Sequence, residues 1–516
     1  MKENYFALIS YANQSKGPVP SGLMLEGLPH LAGTLLSHGY IPRIFDYNST
    51  RSVRRIAEAG SEAFEKEVAE EIINYIREND VKVAGFTLYN NGLEGLIRIA
   101  SKIKADCPKT LMIAGGPVVN YFEDLVYGFT DVFDVLAVSE GYGTIKGIAD
   151  YAYGKISLSR VPNLIFKGNK RTKIVLDDFS KLPFPVYDKE FYPDIDYKIH
   201  IPVVRGTVGC RYGKCTFCVQ PKIDGKFRVR NKEDLLNEII YLQKEYGFKN
   251  IRLSDPNPYA YELEFLSDNA PFGTKISAFS YSDTYYDFEK TSKILSGVFL
   301  GVESFNPKVL LQLNKTDNPK KYVEQVKRLV ISAKNEGIAS VVAIMVPVAN
   351  DTAERIQRDY EFVKELNPDF VVSMAQCPVP GTKDYNDAIK LGEASGFRLS
   401  KNYVNDFMRL ELDLLRPASS WPTPPWELKV DGEFSGNPFH INAKHFMGKL
   451  KEDGFEPVAD ENVLMAYVYY GSLPKEQAER RRKIIEFNNL MRDSIAQQDF
   501  MQLEKIVEKI NMNQSI

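Results

Sequence analysis

Apolar and polar positions alternate along the first 155 residues in a repeating rhythm, a short apolar run followed by a stretch with helical periodicity. The runs fall at residues 5–10, 42–46, 81–88, 111–114 and 133–138, with amphipathic stretches such as 22–39 and 92–105 between them. Strands alternating with helices predict a parallel sheet covered on both faces. Five in this rhythm predict a doubly wound, flavodoxin-like (Rossmann-type) domain over residues 1–155, with its ligand beyond the carboxyl ends of the strands near the switch point. Pro162, Pro183, Pro185 and Pro193 then predict a linker over 156–200. From 201 the rhythm resumes, with strands expected at 203–207, 250–254, 275–280, 299–304, 339–346 and 370–375 and helices at 232–246 and 319–336. Six such units predict a partial (β/α)6 barrel over 201–392, with active residues at the carboxyl ends of its strands. The chain is thus read as α/β, with a mainly helical region at 393–516. In that region helices are expected at 402–416 and 475–510, around a loop at 420–426 that holds both tryptophans, Trp421 and Trp426. This last region is expected to cap the barrel or hold substrate; packing against the barrel wall is the plainer account.

Composition narrows the function classes. The chain has 516 residues, 44% hydrophobic and 26% charged, enough for about three ordinary soluble domains. A net charge of -3 gives no sign of a nucleic-acid partner, and Arg480-Arg481-Arg482 reads as a solvated helix face. No apolar stretch approaches the ~18 residues of a membrane span, and the start at Met1 runs into a strand with no leader pattern. A cytoplasmic protein with no membrane partner is therefore expected. In a reducing compartment its five cysteines point to metal or redox chemistry and not to disulfides.

The turns at the strand ends carry the first candidate residues. Gly115, Gly116 and Pro117 follow the fourth strand, Glu140 and Gly141 the fifth, and Asn90 and Asn91 the third. Glycine there is often only turn chemistry, yet three such turns on one rim favour binding of a bulky ligand. No G-x-G-x-x-G and no Walker A loop is present, which disfavours a dinucleotide or a nucleoside triphosphate.

The second candidate is the stretch GCRYGKCTFC, with Cys210, Cys215 and Cys218. Structural zinc takes four ligands, often as paired knuckles, and no second C-x-x-C exists. A plant-type ferredoxin shares the C-x4-C-x2-C spacing and would need Cys377 as its distant fourth ligand. A [4Fe-4S] cluster on three thiolates would instead leave one iron open, as catalytic metals do for substrate.

With Phe217 before the last cysteine, the loop resembles that of the radical S-adenosylmethionine (SAM) enzymes, with one residue more than their usual C-x3-C-x2-C. Residues 203–207 resemble the family's first barrel strand, and Gly301-Val302-Glu303-Ser304 its G-[IV]-E-S strand, followed by Leu310–Lys315 as its L-x-x-L-N-K. The order of domains, with Gly115-Gly116-Pro117 and Glu140-Gly141, resembles the cobalamin-binding class of that family. The resemblance spans about residues 5–390 and implies a [4Fe-4S] cluster on Cys210, Cys215 and Cys218, with SAM near Phe217, Ser254, Asp255, Glu303, Ser304 and Gln376. It also implies cobalamin at the glycine rim, above Leu88, Tyr89 and Asn90. His30 is a near miss to a cobalt-ligating motif, since Leu28 stands at its Asp position, and helix packing accounts for it better. The implied activity is C-methylation of a small molecule or a peptide or protein residue, with an external low-potential donor such as a flavodoxin or ferredoxin. A non-methylating rearrangement and an iron-sulfur electron carrier are the alternatives. Cys377, at the last strand end, either faces substrate or is a small buried apolar residue.

Overall fold

The computed structural model describes residues 4–11, 27–48, 58–193, 201–281, 286–410, 421–434, 436–458 and 460–497, with scattered positions outside these ranges. The chain divides into two compact units, Met1–Asp196 with Val404–Leu412, and Tyr197–Tyr403 with Asp413–Ile516.

In the first unit β1 (Tyr5–Ser10), β2 (Ile41–Asp46), β3 (Val83–Thr87), β4 (Leu111–Gly115) and β5 (Val135–Ala137) form a parallel sheet in the order 2-1-3-4-5. The helices between them are α1 (Gly27–Ser37), α2 (Ser61–Glu78), α3 (Leu93–Asp106), α4 (Pro117–Phe122) and α5 (Tyr142–Ala152). In α2, Phe64, Val68, Ile72 and Ile76 recur every fourth residue and are buried, so one stripe meets the sheet; Glu65, buried as well, is bonded by Arg98. The order reverses between β1 and β3, which makes the carboxyl ends of β1, β3, β4 and β5 the natural ligand rim.

The stretch 156–200 differs from the linker expectation. β6 (Leu164–Phe166) pairs antiparallel with β5, and β7 (Lys170–Arg171) with β6, extending the same sheet. Tyr187 and Tyr192 are buried, and the Phe184 carbonyl lies where a Cβ at Gly33 would stand, 2.1 Å away, so this stretch packs on α1. Antiparallel strands of two or three residues between prolines leave too short a pattern to read.

The second unit is built on a six-stranded parallel sheet in simple sequential order. Its strands are β8 (Val203–Val204), β11 (Asn250–Leu253), β12 (Lys275–Tyr281), β13 (Leu295–Glu303), β14 (Ala339–Met345) and β15 (Phe370–Met374). A small hairpin, β9 (Thr207–Val208) with β10 (Arg228–Val229), follows β8. The covering helices are α6 (Lys232–Tyr246), α7 (Ala260–Asn269), α8 (Pro307–Gln312), α9 (Pro319–Asn335), α10 (Ala353–Leu366) and α11 (Lys383–Leu391). Local chemistry sets their ends. Asn231 caps α6 by accepting the amides of Glu233 and Asp234, and Gly247 at φ 77° terminates it.

The C-terminal region is less helical than its pattern. β16 (Phe397–Leu399), β17 (Trp426–Val430) and β18 (Glu433–Phe434) form a separate antiparallel sheet. α12 (Asp460–Tyr470) lies across β11–β14, close enough that a Cβ at Gly297 would meet Val463 at 3.0 Å. Outside it runs α13 (Gln477–Ala496). The helix expected at 402–416 is a short one, Tyr403–Met408, and 411–416 lie outside the described residues.

The run at 480–482 is not a uniformly solvated face. Arg482 is exposed beside Glu486, but Arg480 is fully buried, 3.0 Å from the equally buried Asp369. Asp369 also accepts the Ser340 amide and hydroxyl, so one carboxylate ties α13 to the amino ends of β14 and β15.

Candidate functional site

The three cysteines lie on the loop after β9. Gly209, at φ 80°, starts that loop, and its amide donates to Asp224 Oδ2 at 2.8 Å. Backbone bonds fix the loop from two directions: Thr216 N–H donates to the Leu313 carbonyl at 3.0 Å, and the Asp384 amide at the start of α11 donates to the Thr216 carbonyl at 3.1 Å. Asn314 Nδ2 donates to the Lys214 carbonyl at 2.8 Å. Phe217 packs on the cluster of Val309, Leu313 and Val348 beside Met345, which explains an aromatic residue at that position.

No disulfide joins these cysteines. Burial pushes the Cys215 thiol up to about 12, with Lys315 pulling it back and Glu303, Cys218 and Cys210 adding to the rise. Cys218 is raised by the same burial, and Cys210 acts on it in turn. Burial thus raises Cys215 and Cys218 together, with Cys210 acting on both, and stable thiolates there need a metal's positive charge. Among the described residues no three His, Cys, Asp or Glu side chains converge on a single ion.

β13 ends beside them. Its pairing with β14 shifts register between Gly301 and Glu303, and Glu303 adopts φ 71°, a conformation rare outside glycine. Such bulges re-aim side chains. Glu303 is turned onto Lys315, 2.9 Å away, and both are largely buried. Burial works to lower the Lys315 pKa, but Glu303, Tyr322 and Cys215 outweigh it, so the lysine is held charged. Its Nζ lies 5.9 Å from the Phe217 ring centre. A buried positive charge beside three thiols and a carboxylate was signalled only by the match of Lys315 to the family's L-x-x-L-N-K.

Other predicted residues have structural duties. Ser304 is fully buried and donates to Asp359 Oδ2 at 2.7 Å. Gln376 accepts the Ala349 amide at 2.7 Å, donates to Asp384 and has its carbonyl bonded by Trp426 Nε1 at 3.0 Å. Asp255 is fully buried and accepts the Gly206 amide at 2.8 Å, while Ser254 stands 3.5 Å from Arg205 Nε. Only Glu303 and Phe217 of the proposed SAM residues stand directly with the cysteines and Lys315. Cys377 is partly exposed, next to Asp384, and desolvation pushes its thiol well above the usual range.

On the first unit's rim, Leu88 is buried, with its amide on the Gly115 carbonyl and its carbonyl taking the Val118 amide. Gly116, at φ 91°, has no space for a Cβ, which would fall 2.8 Å from Thr87 Cγ2. The Gly115-Gly116-Pro117 turn therefore first serves the β4–α4 junction, with Pro117 at the first turn of α4. Glu140 accepts the Asp177 amide at 2.6 Å, and a Cβ at Gly141 would press on Leu31 at 3.0 Å. Tyr89 is half-buried and Asn91 exposed. Asn90 Nδ2 donates to the carbonyls of Phe407 and Met408 at 3.1 and 3.3 Å. That segment continues onto the rim through the Phe122–Phe407 ring pair and Arg409 Nε, 2.9 Å from Glu94. Residues 407–410 carry no local signal for this position, because their partners lie some 315 positions away. Asn90→Ala is expected to cost about 1 kcal/mol and to loosen residues 404–410, seen as faster cleavage there in limited proteolysis. His30 is buried against the Tyr142 ring at 6.4 Å, as a packing residue.

Residues 204–363 match the Radical SAM superfamily. A Pyrococcus horikoshii protein named uncharacterized methyltransferase PH0819 is 24% identical over 338 residues, 62% of this chain and 72% of its own. The Bacillus subtilis tRNA-2-methylthio-N(6)-dimethylallyladenosine synthase is 23% identical over 56% of this chain and 58% of its own length. Among solved structures, the radical SAM methyltransferase TsrM from Kitasatospora setae, with cobalamin and a [4Fe-4S] cluster bound, superposes with TM-score 0.69 at 14% identity, covering 95% of this chain and all of its own. The cobalamin-dependent SAM radical enzyme OxsB superposes with TM-score 0.64 at 12% identity over all of this chain and 84% of its own. The chain therefore carries a radical SAM domain, within an α/β fold shared with the cobalamin-dependent enzymes TsrM and OxsB.

Proposed function

We propose that this chain is a cobalamin-dependent radical SAM C-methyltransferase acting on an unactivated carbon of a small molecule or a peptide or protein residue. The observation that carries this reading is the set of three cysteines on one loop at the carboxyl edge of the six-stranded sheet, where burial raises the Cys215 and Cys218 thiols and Cys210, Lys315 and Glu303 act on both. The donor set fits a [4Fe-4S] cluster with one iron left for SAM, and Cys210, Cys215 and Cys218 would hold it. The glycine rim of the first unit lies at a switch point, where a flat cofactor would be held by the turn Leu88–Asn90 with no histidine presented there among the described residues.

When bound, the cluster with SAM supplies a carbon radical by hydrogen abstraction, and methylcobalamin supplies the methyl group. The chain's own residues position and enclose. Phe217 anchors the cysteine loop by packing, while the backbone bonds at Leu313 and Asp384 keep it from opening. Lys315 offsets the negative charge of thiolates and of Glu303, and Glu303, turned by its bulge, offers a carboxylate to a polar part of SAM. An external low-potential flavodoxin or ferredoxin is expected as electron donor.

Mass spectrometry after turnover with methyl-labelled SAM tests the reaction type. Label in the product supports methyl transfer. Formation of 5'-deoxyadenosine with no label in any product would favour a rearrangement or cyclisation instead.

A further inference from the structure

Glu262 lies in the first turn of α7 and is only 1% exposed. Its carboxyl rests against Gly206, where an added Cβ would fall 2.2 Å from Oε1 and 2.6 Å from Oε2. Neither oxygen has a hydrogen-bond partner among the described residues. Asp255 reaches the same glycine from the end of β11, its Oδ1 accepting the Gly206 amide at 2.8 Å. The Gly206 carbonyl in turn accepts the Arg230 amide at 2.7 Å. Three elements therefore converge on the residue that leads from β8 into β9, four positions before Cys210.

The charges here do not balance. Arg230 faces Glu262, but its guanidinium is bonded to Asp234 at 2.7 Å and Glu238 at 2.5 Å. Arg205, on the end of β8, acts on Asp255. With Asp255 ionised and held by the Gly206 amide, an ionised Glu262 buried beside it would repel it and have no donor of its own. A proton on Glu262 removes that conflict.

We propose that Glu262 is a proton-bearing positioning residue, whose neutral acid, set beside Asp255 over Gly206, holds the turn that delivers the cysteine loop in its cluster-binding shape. Burial, then Asp255, push the Glu262 carboxyl up to about 9, with Arg230 opposing, and burial raises Asp255 to about 6. An acid raised in the folded state contributes stability in full below its ordinary value, and loses it as pH rises through the folded one. The turn is therefore expected to loosen as pH climbs through about 9.

The test is Glu262→Gln, an amide that keeps the acid's shape and neutrality. Three profiles are measured between neutral pH and pH values above the Glu262 transition: iron retained by the anaerobically reconstituted protein, melting temperature, and the infrared band of protonated carboxyls. The wild type is expected to lose iron and melting temperature through this range while a carboxyl band disappears. E262Q should match the wild type near pH 7, lack that band and lack the alkaline step. Equal alkaline profiles in the two proteins, or an E262Q that does not fold, would overturn the proposal. So would Mg2+ or Ca2+ raising the melting temperature of the wild type but not of E262Q, which would mean that the acids hold a cation and not a proton. The iron arm rests on the cluster reading. A wild type that binds no iron sinks that reading, while the infrared and melting arms still decide the proton.

Discussion

Cys215→Ala is expected to leave a folded protein that holds no cluster and forms no 5'-deoxyadenosine. Cys215 is partly exposed, with Cys210, Cys218 and Lys315 as electrostatic neighbours. The loop itself is fastened through the Thr216 backbone and the Phe217 ring, which the substitution leaves in place. Removing one of three ligands leaves two, too few to keep a labile cubane against loss to solvent. Iron should fall from about four atoms per chain to near zero, with a melting temperature close to that of the apo wild type. Cys210→Ala and Cys218→Ala should behave alike. Full SAM cleavage in any of the three would reject this ligand set. By contrast Cys377→Ala, whose thiol is not among the electrostatic neighbours of the three, should retain the iron.

The largest effect on stability is expected far from the chemistry, at Arg480. Its guanidinium and the Asp369 carboxylate are both fully buried. Arg480 Nη1 also donates to the Lys475 carbonyl at 2.6 Å and to the Pro474 carbonyl at 3.2 Å. Arg480→Met leaves a buried carboxylate without its cation and two carbonyls without donors. Loss of one partner of such a pair costs about 3–5 kcal/mol, enough to remove a large part of a typical domain's stability. Equilibrium urea unfolding should show a clear fall in midpoint. Arg482→Ala, two residues along the same helix but exposed, should change stability by less than about 0.5 kcal/mol. Equal effects for the two would mean that the helix is not docked through Arg480.

Both sheets were legible in the sequence because their signals are local and repeated. Strand and helix patterns alternate at short spacing, and α6 is bracketed by Asn231 and Gly247, two strong end signals. The cysteine loop was legible for the same reason, since its chemistry sits within nine positions. Partners distant in the chain were not. Ser304 and Gln376 stand at strand ends, as expected of ligand contacts, but their bonds to Asp359 and Ala349 show only in three dimensions. Glu262 and Arg480 are ionisable residues on amphipathic helices, where exposure is the usual outcome, but Glu262 is buried against Gly206 and Arg480 against Asp369. The antiparallel extension at 164–171 and the docking of 407–410 on the rim were missed because short, irregular segments carry no period to count.

A cluster-bearing barrel and a corrin-binding module on one chain should load both cofactors together, which a cofactor count on the anaerobically reconstituted full chain decides, with iron, sulfide, corrinoid, flavin and zinc measured on one sample. About four irons with matching sulfide are expected, with about one corrinoid and neither flavin nor zinc in stoichiometric amount. A two-iron cluster with bound flavin would mark an electron carrier and contradict this expectation, as would a single zinc held by the three cysteines.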